Sequence, residues 1–256
     1  MNELSVLGWP LAAGVLVLLS HVPLGLQVLR RGIVFIDLAV AQVAALGVLM
    51  ADRLTGGDGV VSVLAGVLAA LAGAALVAAL SRAWPERREA LIGLVYVAAA
   101  AAALLWVSAD PHGGHKLAGL LAGDVLWVLP DRLAVLATAT AVFLVLHRVG
   151  GATLWDGPAF YPAFAVLVSL SVPLLGLYLV FTTLIVPALA VAARPGRAWA
   201  GVLLGGLAYA AGLLASLAWD LPSGPCVVLA LMVAGVLMGV TRRWRPLRRG
   251  GATLDA

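Results

Sequence analysis

Residues 60–80, VVSVLAGVLAALAGAALVAAL, carry no charge and a single hydroxyl, Ser62. A bilayer core about 30 Å thick is crossed by about 20 residues of α-helix rising 1.5 Å each. This stretch therefore reads as a membrane span. Working outward, the same reading gives further spans at 4–29, 33–51, 91–107, 133–147, 198–219 and 225–240. Alternating ten-residue segments are absent, which argues against an outer-membrane barrel. Backbone groups in lipid must be satisfied inside helices, so the expected fold is an all-α, polytopic membrane bundle of about eight or nine transmembrane helices.

Composition agrees. The 256 residues are 63% hydrophobic and 11% charged, with a mean hydropathy of +1.10. Soluble domains carry about 25% charged residues. A disordered chain, a disulfide scaffold (Cys226 is the one cysteine) and a conventional soluble enzyme are excluded. The net charge of +4 does not indicate nucleic acid, because the basic residues sit at span ends and form no stripe with interleaved aromatics. The first apolar block is too long for the core of a cleaved signal peptide and ends in Arg30 and Arg31, so it is expected to be a retained span.

Two segments do not fit simple crossings. Residues 117–128 are apolar but about half the required length, and contain Gly119, Gly123 and Asp124. A short interfacial or re-entrant piece is expected there. Residues 163–193 are too long for one crossing and too short for two full ones, and are interrupted by Pro173, Gly176 and Pro187. Two short, broken helices meeting near Gly176 are expected, an arrangement tolerated at membrane depth where it faces protein or a water-filled cavity.

Charge sets the expected orientation. Placing the loops at 30–31, 82–88, 148 and 194–197 with the 241–256 tail on one side puts thirteen of the sixteen basic residues there, leaving Arg53, Lys116 and Arg132 opposite. That side reads as cytoplasmic, with the carboxyl end inside. No stretch is long enough for a nucleotide-binding domain, and neither G-x-x-x-x-G-K-[ST] nor G-x-G-x-x-G occurs. If ATP drives transport, another polypeptide binds it.

Four strings then share one resemblance. Leu29-Arg30-Arg31-Gly-Ile-Val-Phe-Ile-Asp37-Leu-Ala-Val-Ala-Gln42 resembles the start of the second span in permeases of zinc/manganese-type (ABC-3 family) ABC metal importers. Leu120-Leu-Ala-Gly123-Asp124-Val-Leu is similar to a glycine-acid element between their spans. The stretch from Gly176 through Pro187 resembles their glycine-to-proline segment, and Asp220-Leu-Pro222-Ser223-Gly224 their loop before the last helix. One position departs: the family's Asp followed four residues later by His is here Asp37 followed by Ala41, with Gln42 next. The resemblance implies one permease domain over residues 1–256 in a bacterial inner membrane. It also implies a homodimer, a cytoplasmic ATP-binding subunit, an extracytoplasmic solute-binding protein, and no cofactor bound by this chain. The transported substrate would be a divalent metal, zinc or manganese first and then iron. It places the contact with the ATPase in residues 148–162, at Thr153, Trp155, Asp156, Phe160 and Tyr161; an interfacial aromatic anchor fits the same composition.

The intramembrane polar residues are the candidate pathway. Asp37 lies in the first turns of its span. A carboxylate there costs about 2.5–3.5 kcal/mol on insertion and such groups usually mark pathways, unless the helix dipole and Arg30 or Arg31 satisfy it. His21 lies nine residues before Arg30, about 13 Å deeper. The same distance along the next helix reaches Ala41 and Gln42, so His21 and Gln42 are expected at one level. The three could bind metal or a polar substrate; alternatively, His21 makes an interhelical hydrogen bond beside a bend at Pro23. Tyr178, Thr182 and Thr183 on the broken segment either line the path or bond the preceding turn's carbonyls. His112 and His115, flanking two glycines, could capture a metal on the outer side or be merely solvated. Asp124 and Asp220 lie close to short outer segments; Asp220 is expected to start or cap the last helix, and either could instead dock the binding protein electrostatically. Ala39, Ala41, Ala45 and Gly47 suit close helix packing.

Two rivals stand beside an importer: an ATP-independent secondary transporter or exporter of small metabolites, and an intramembrane enzyme. The latter lacks a nucleophile or complete ligand set at recognisable spacing.

Overall fold

The computed structural model describes residues 7–57, 59–108, 110, 113–123, 125–128, 130–193 and 195–243. All regular structure among them is helical. The helices are α1 (Gly8–Arg31), α2 (Ile36–Thr55), α3 (Gly59–Ala83), α4 (Arg88–Val107), α5 (Gly113–Ala122), α6 (Pro130–Asp156), α7 (Phe160–Leu175), α8 (Leu177–Val191), α9 (Ala198–Trp219) and α10 (Ser223–Arg243). Six helical stretches are long and apolar enough to cross a membrane: α1, α2, α3, Pro85–Val107, Pro130–Gly151 and α9. Three shorter apolar helices, α7, α8 and Ser223–Met238, complete the bundle.

α1 is the most buried of the long spans, with 67% of its apolar window buried. It packs against α6, α8 and α9, whereas α2 packs against α3, α4 and α7, and α8 touches both groups. Small residues permit this. A Cβ on Gly14 would strike the ring of Tyr209, one on Gly205 would strike Leu18, and one on Gly25 would strike the carbonyl of Leu184. On the other side Gly47 backs onto Ala65 and Ala69, and Gly73 onto Val43. Lipid is as apolar as leucine, so membrane helices associate through such close approach rather than through hydrophobic burial.

The turn between α1 and α2 is built from two polar fixings. Gly32 adopts the left-handed conformation (φ 60°, ψ 47°), and its amide and that of Ile33 bond the carbonyls of Leu29 and Val28 at 3.3 Å each. This Schellman arrangement ends the helix at a residue without a Cβ penalty. The amide of Val34 then donates to Glu89 Oε1 at 2.7 Å. Glu89→Ala leaves that amide unpaired, which costs about 1–3 kcal/mol. Purified Glu89→Ala protein should therefore melt several degrees below wild type, with Glu89→Gln in between. Equal melting of the alanine variant and wild type would show that the bond adds nothing.

The two exceptional segments take the expected forms. Residues 113–128 hold the ten-residue α5 and a single 3-10 turn, Val125–Trp127, which packs on α1 and α10. Residues 163–193 are divided between α7 and α8, broken at Gly176 (φ 84°, ψ 154°). The break is seated on a second glycine: a Cβ on Gly123 would overlap the peptide joining Leu175 to Gly176. One expectation is corrected at Asp220. It does not open α10 but closes α9 in the left-handed conformation (φ 50°, ψ 47°), its amide bonding the carbonyl of Ser216. α10 begins at Ser223 instead.

Candidate translocation site

α1 carries His21 with no solvent exposure. Its Nδ1 lies 3.1 Å from the Val17 carbonyl and 3.0 Å from Ser20 Oγ, whose own hydroxyl already faces the carbonyls of Val17 and Leu16. A carbonyl can only accept, so the proton belongs on Nδ1. Nε2 then keeps a bare lone pair, and no protein group meets it. This is the tautomer in which a backbone carbonyl orients an imidazole for coordination through its other nitrogen.

Asp37 sits in the first turn of α2, also fully buried. Neither carboxylate oxygen has a well-formed hydrogen bond; the nearest polar groups are the amides of Asp37 itself and Leu38. The positive end of the helix dipole supplies some compensation there, and no Arg30 or Arg31 ion pair is formed within the described residues. Gln42 is 3% exposed, and its Oε1 likewise lacks a partner.

His21 and Gln42 stand on helices that are not packed along one another; α7 and α8 each contact both α1 and α2. α8 buries Thr182 and Thr183, whose hydroxyls donate to the carbonyls of Tyr178 and Leu179 at 2.7 Å. Each hydroxyl oxygen remains available as an acceptor. Pro187, lower on the same helix, has no amide to donate to the carbonyl four residues earlier, that of Thr183. Tyr178 is 53% exposed at the surface of the protomer. The nitrogen donor on α1 and the oxygen donors on α2 are therefore enclosed by protein, on helices that both contact α8. Among the described residues no three His, Cys, Asp or Glu side chains are grouped to hold a metal.

Of the outer histidines, His112 lies outside the described residues, and for His115 only the backbone, within α5, is described. Asp124 also lies outside them.

At the basic end, α6 bends at Gly151 (φ 59°, ψ −171°) and runs one further turn to Asp156. Trp155 is 2% exposed and stacks edge-on against Phe143, with ring centroids 5.0 Å apart. Phe160 is fully buried, Tyr161 half-buried and Asp156 exposed; the side chain of Thr153 is not described. The aromatic pair thus anchors the segment, and Asp156 and Tyr161 are the members open to a partner. The sequence offered Arg31 a role in topology or as a partner of Asp37, and gave no sign of its contact with this turn. Its Nη2 donates to the carbonyls of Trp155 and Gly157, at 2.7 and 3.0 Å. Nor did it single out Tyr209, whose buried hydroxyl has no partner; a lone tyrosine in an apolar helix carries no spacing signal.

A bundle of this kind, with six long apolar helices and a broken helix among the described residues, is that of a polytopic membrane protein. The chain belongs to the ABC 3 transport family, which matches residues 3–150, in keeping with the resemblance seen in its motifs. Among solved structures, it is similar to PsaBC from Streptococcus pneumoniae in complex with Fab. That chain is 16% identical, the match covers 93% of this chain and 92% of that one, and the TM-score is 0.74. The likeness establishes a common fold. No curated protein matches the chain significantly.

Proposed function

We propose that the chain is the membrane subunit of an ATP-driven importer for a divalent metal ion, zinc or manganese first. The observation that carries this is the burial of His21 Nε2, both Asp37 oxygens and Gln42 Oε1 without partners, on two helices that both contact α8. Desolvating such groups unpaired costs several kcal/mol in sum. A dication moving between them would offset that cost, and imidazole with carboxylate suits zinc, manganese and iron.

In this reading the basic end faces the cytoplasm, in line with its thirteen basic residues. An ATP-binding subunit contacts the segment bearing Asp156 and Tyr161. An extracytoplasmic binding protein delivers the ion at the opposite end, and two copies of the chain form the pathway in a bacterial inner membrane. Helix movement opens the occluded site to one side and then the other. Since a ligand shifts an equilibrium only by its differential affinity, the outward state must hold the ion more tightly than the inward one.

The test is ATP-dependent accumulation of zinc or manganese in vesicles holding this chain, its ATP-hydrolysing subunit and the binding protein. His21→Ala should raise the half-saturating metal concentration about tenfold or more, the scale seen when a metal site loses orienting or ligating groups. Uptake of a small metabolite without ATP, and of neither metal, would replace the importer by a secondary carrier.

A further inference from the structure

Arg31 is the last residue of α1, and its side chain leaves that helix entirely. Nη2 donates to two carbonyls, Trp155 and Gly157, both at the end of α6. Those are carbonyls a terminating helix leaves without internal partners, at the negative end of its dipole. The same guanidinium lies 4.6 Å above the ring of Phe160 and 5.5 Å from that of Tyr161. A single side chain therefore spans the whole turn between α6 and α7. Arg30 beside it is exposed.

The covalent route through the same turn is soft. Segment 152–161 joins the rest of α6 at Gly151, where the backbone leaves helical geometry and no Cβ restricts it. A push on the segment would be absorbed at that glycine unless a second, stiffer connection carried it inward. Charge-assisted bonds with stacking on two rings make such a connection, and it ends on the most buried of the long spans, ten residues from His21.

We propose that Arg31 is a positioning residue that passes displacement of segment 152–161 to α1, and so to His21. The proposal rests on the reading of this segment as the contact for an ATP-hydrolysing subunit. Losing a charge-assisted pair shifts an equilibrium about tenfold or more. Lysine keeps the charge but lacks the planar group that lies on Phe160.

Two measurements test it. In the purified chain, Arg31→Ala should speed amide exchange about tenfold in both 152–161 and the last turn of α1, and Arg30→Ala should change neither. In the assembled complex, Arg31→Ala should cut zinc or manganese transported per ATP hydrolysed by about tenfold while hydrolysis stays within about twofold of wild type. Arg31→Lys should fall between, and it decides the matter if the alanine variant does not assemble. A residue that merely stabilises the fold would lower transport and hydrolysis together, leaving their ratio intact. Unchanged exchange, or an unchanged ratio in assembled complexes, overturns the proposal. If wild type imports neither metal, the importer reading falls separately, and the exchange data still decide whether α1 and the segment are linked.

Discussion

Asp37→Ala should abolish metal uptake while leaving the protein as stable as wild type or more so. Two opposed energies meet at this residue. In the resting fold the carboxylate is fully buried with neither oxygen partnered, so removing it relieves an insertion cost of about 2.5–3.5 kcal/mol. On the proposed importer reading, the same charge would face a dication in a site without solvent. Taking away one partner of a buried charge pair costs about 3–5 kcal/mol, or a hundredfold and more. A residue kept for structure would show the reverse pattern, with lower melting temperature and uptake reduced only in proportion to folded protein. The check pairs a thermal melt with uptake normalised to assembled complex. Asp37→Asn separates shape from charge: it keeps the volume and should be equally inactive. Retained uptake in either variant would remove Asp37 from the pathway.

Gly25→Val should be the most damaging apolar change within α1. The first atom of any side chain there meets the Leu184 carbonyl, and the Ala188 methyl lies 2.8 Å away. The obstacle is backbone, so no rotamer change relieves it; α1 must move off α8. Overpacking of this kind costs about 1–3 kcal/mol where side chains can yield, and more where they cannot. A fall in melting temperature of about 5–10 °C is expected, with loss of assembled protein. Gly206→Val on α9 is the control. Nothing lies within 4 Å of its added atom, and that variant should melt as wild type does. Equal melting of the two valine variants would show that α1 and α8 are not closely packed.

Much of this was legible from the chain alone because the bilayer imposes a simple rule. A helix must be about 20 apolar residues long to cross, so residues 198–219 could be bounded by counting, and they form α9 with those limits. The break at Gly176 was equally legible, since a run of that length containing Pro173 and Pro187 fits neither one crossing nor two. Asp37, His21 and Gln42 stood out by cost: a polar group in lipid is too expensive to be incidental. Their mutual placement was not legible. Counting along neighbouring helices gave His21 and Gln42 a common depth but silently assumed that consecutive helices pack together. α8, more than a hundred residues away in the chain, lies against both instead.

Arg31 shows the same division in a single residue. Its sequence context, a basic doublet at the end of a span, reads as a membrane boundary, and the helix does end at Arg31. Which arginine of the doublet turns toward Trp155 and Gly157 depends on where α6 ends in space.

The order of amino acids was enough to establish a helical membrane protein, the position of its broken helix and the family to which it belongs, because hydropathy, proline and glycine act over a few neighbouring residues. Only the tertiary structure decided that α1 is the most buried of the long spans, that α8 contacts both helices bearing the buried donors, and that Arg31 closes the α6–α7 turn. Those relations join residues distant in the chain through close backbone approach and single hydrogen bonds, and neither leaves a periodic trace in the sequence.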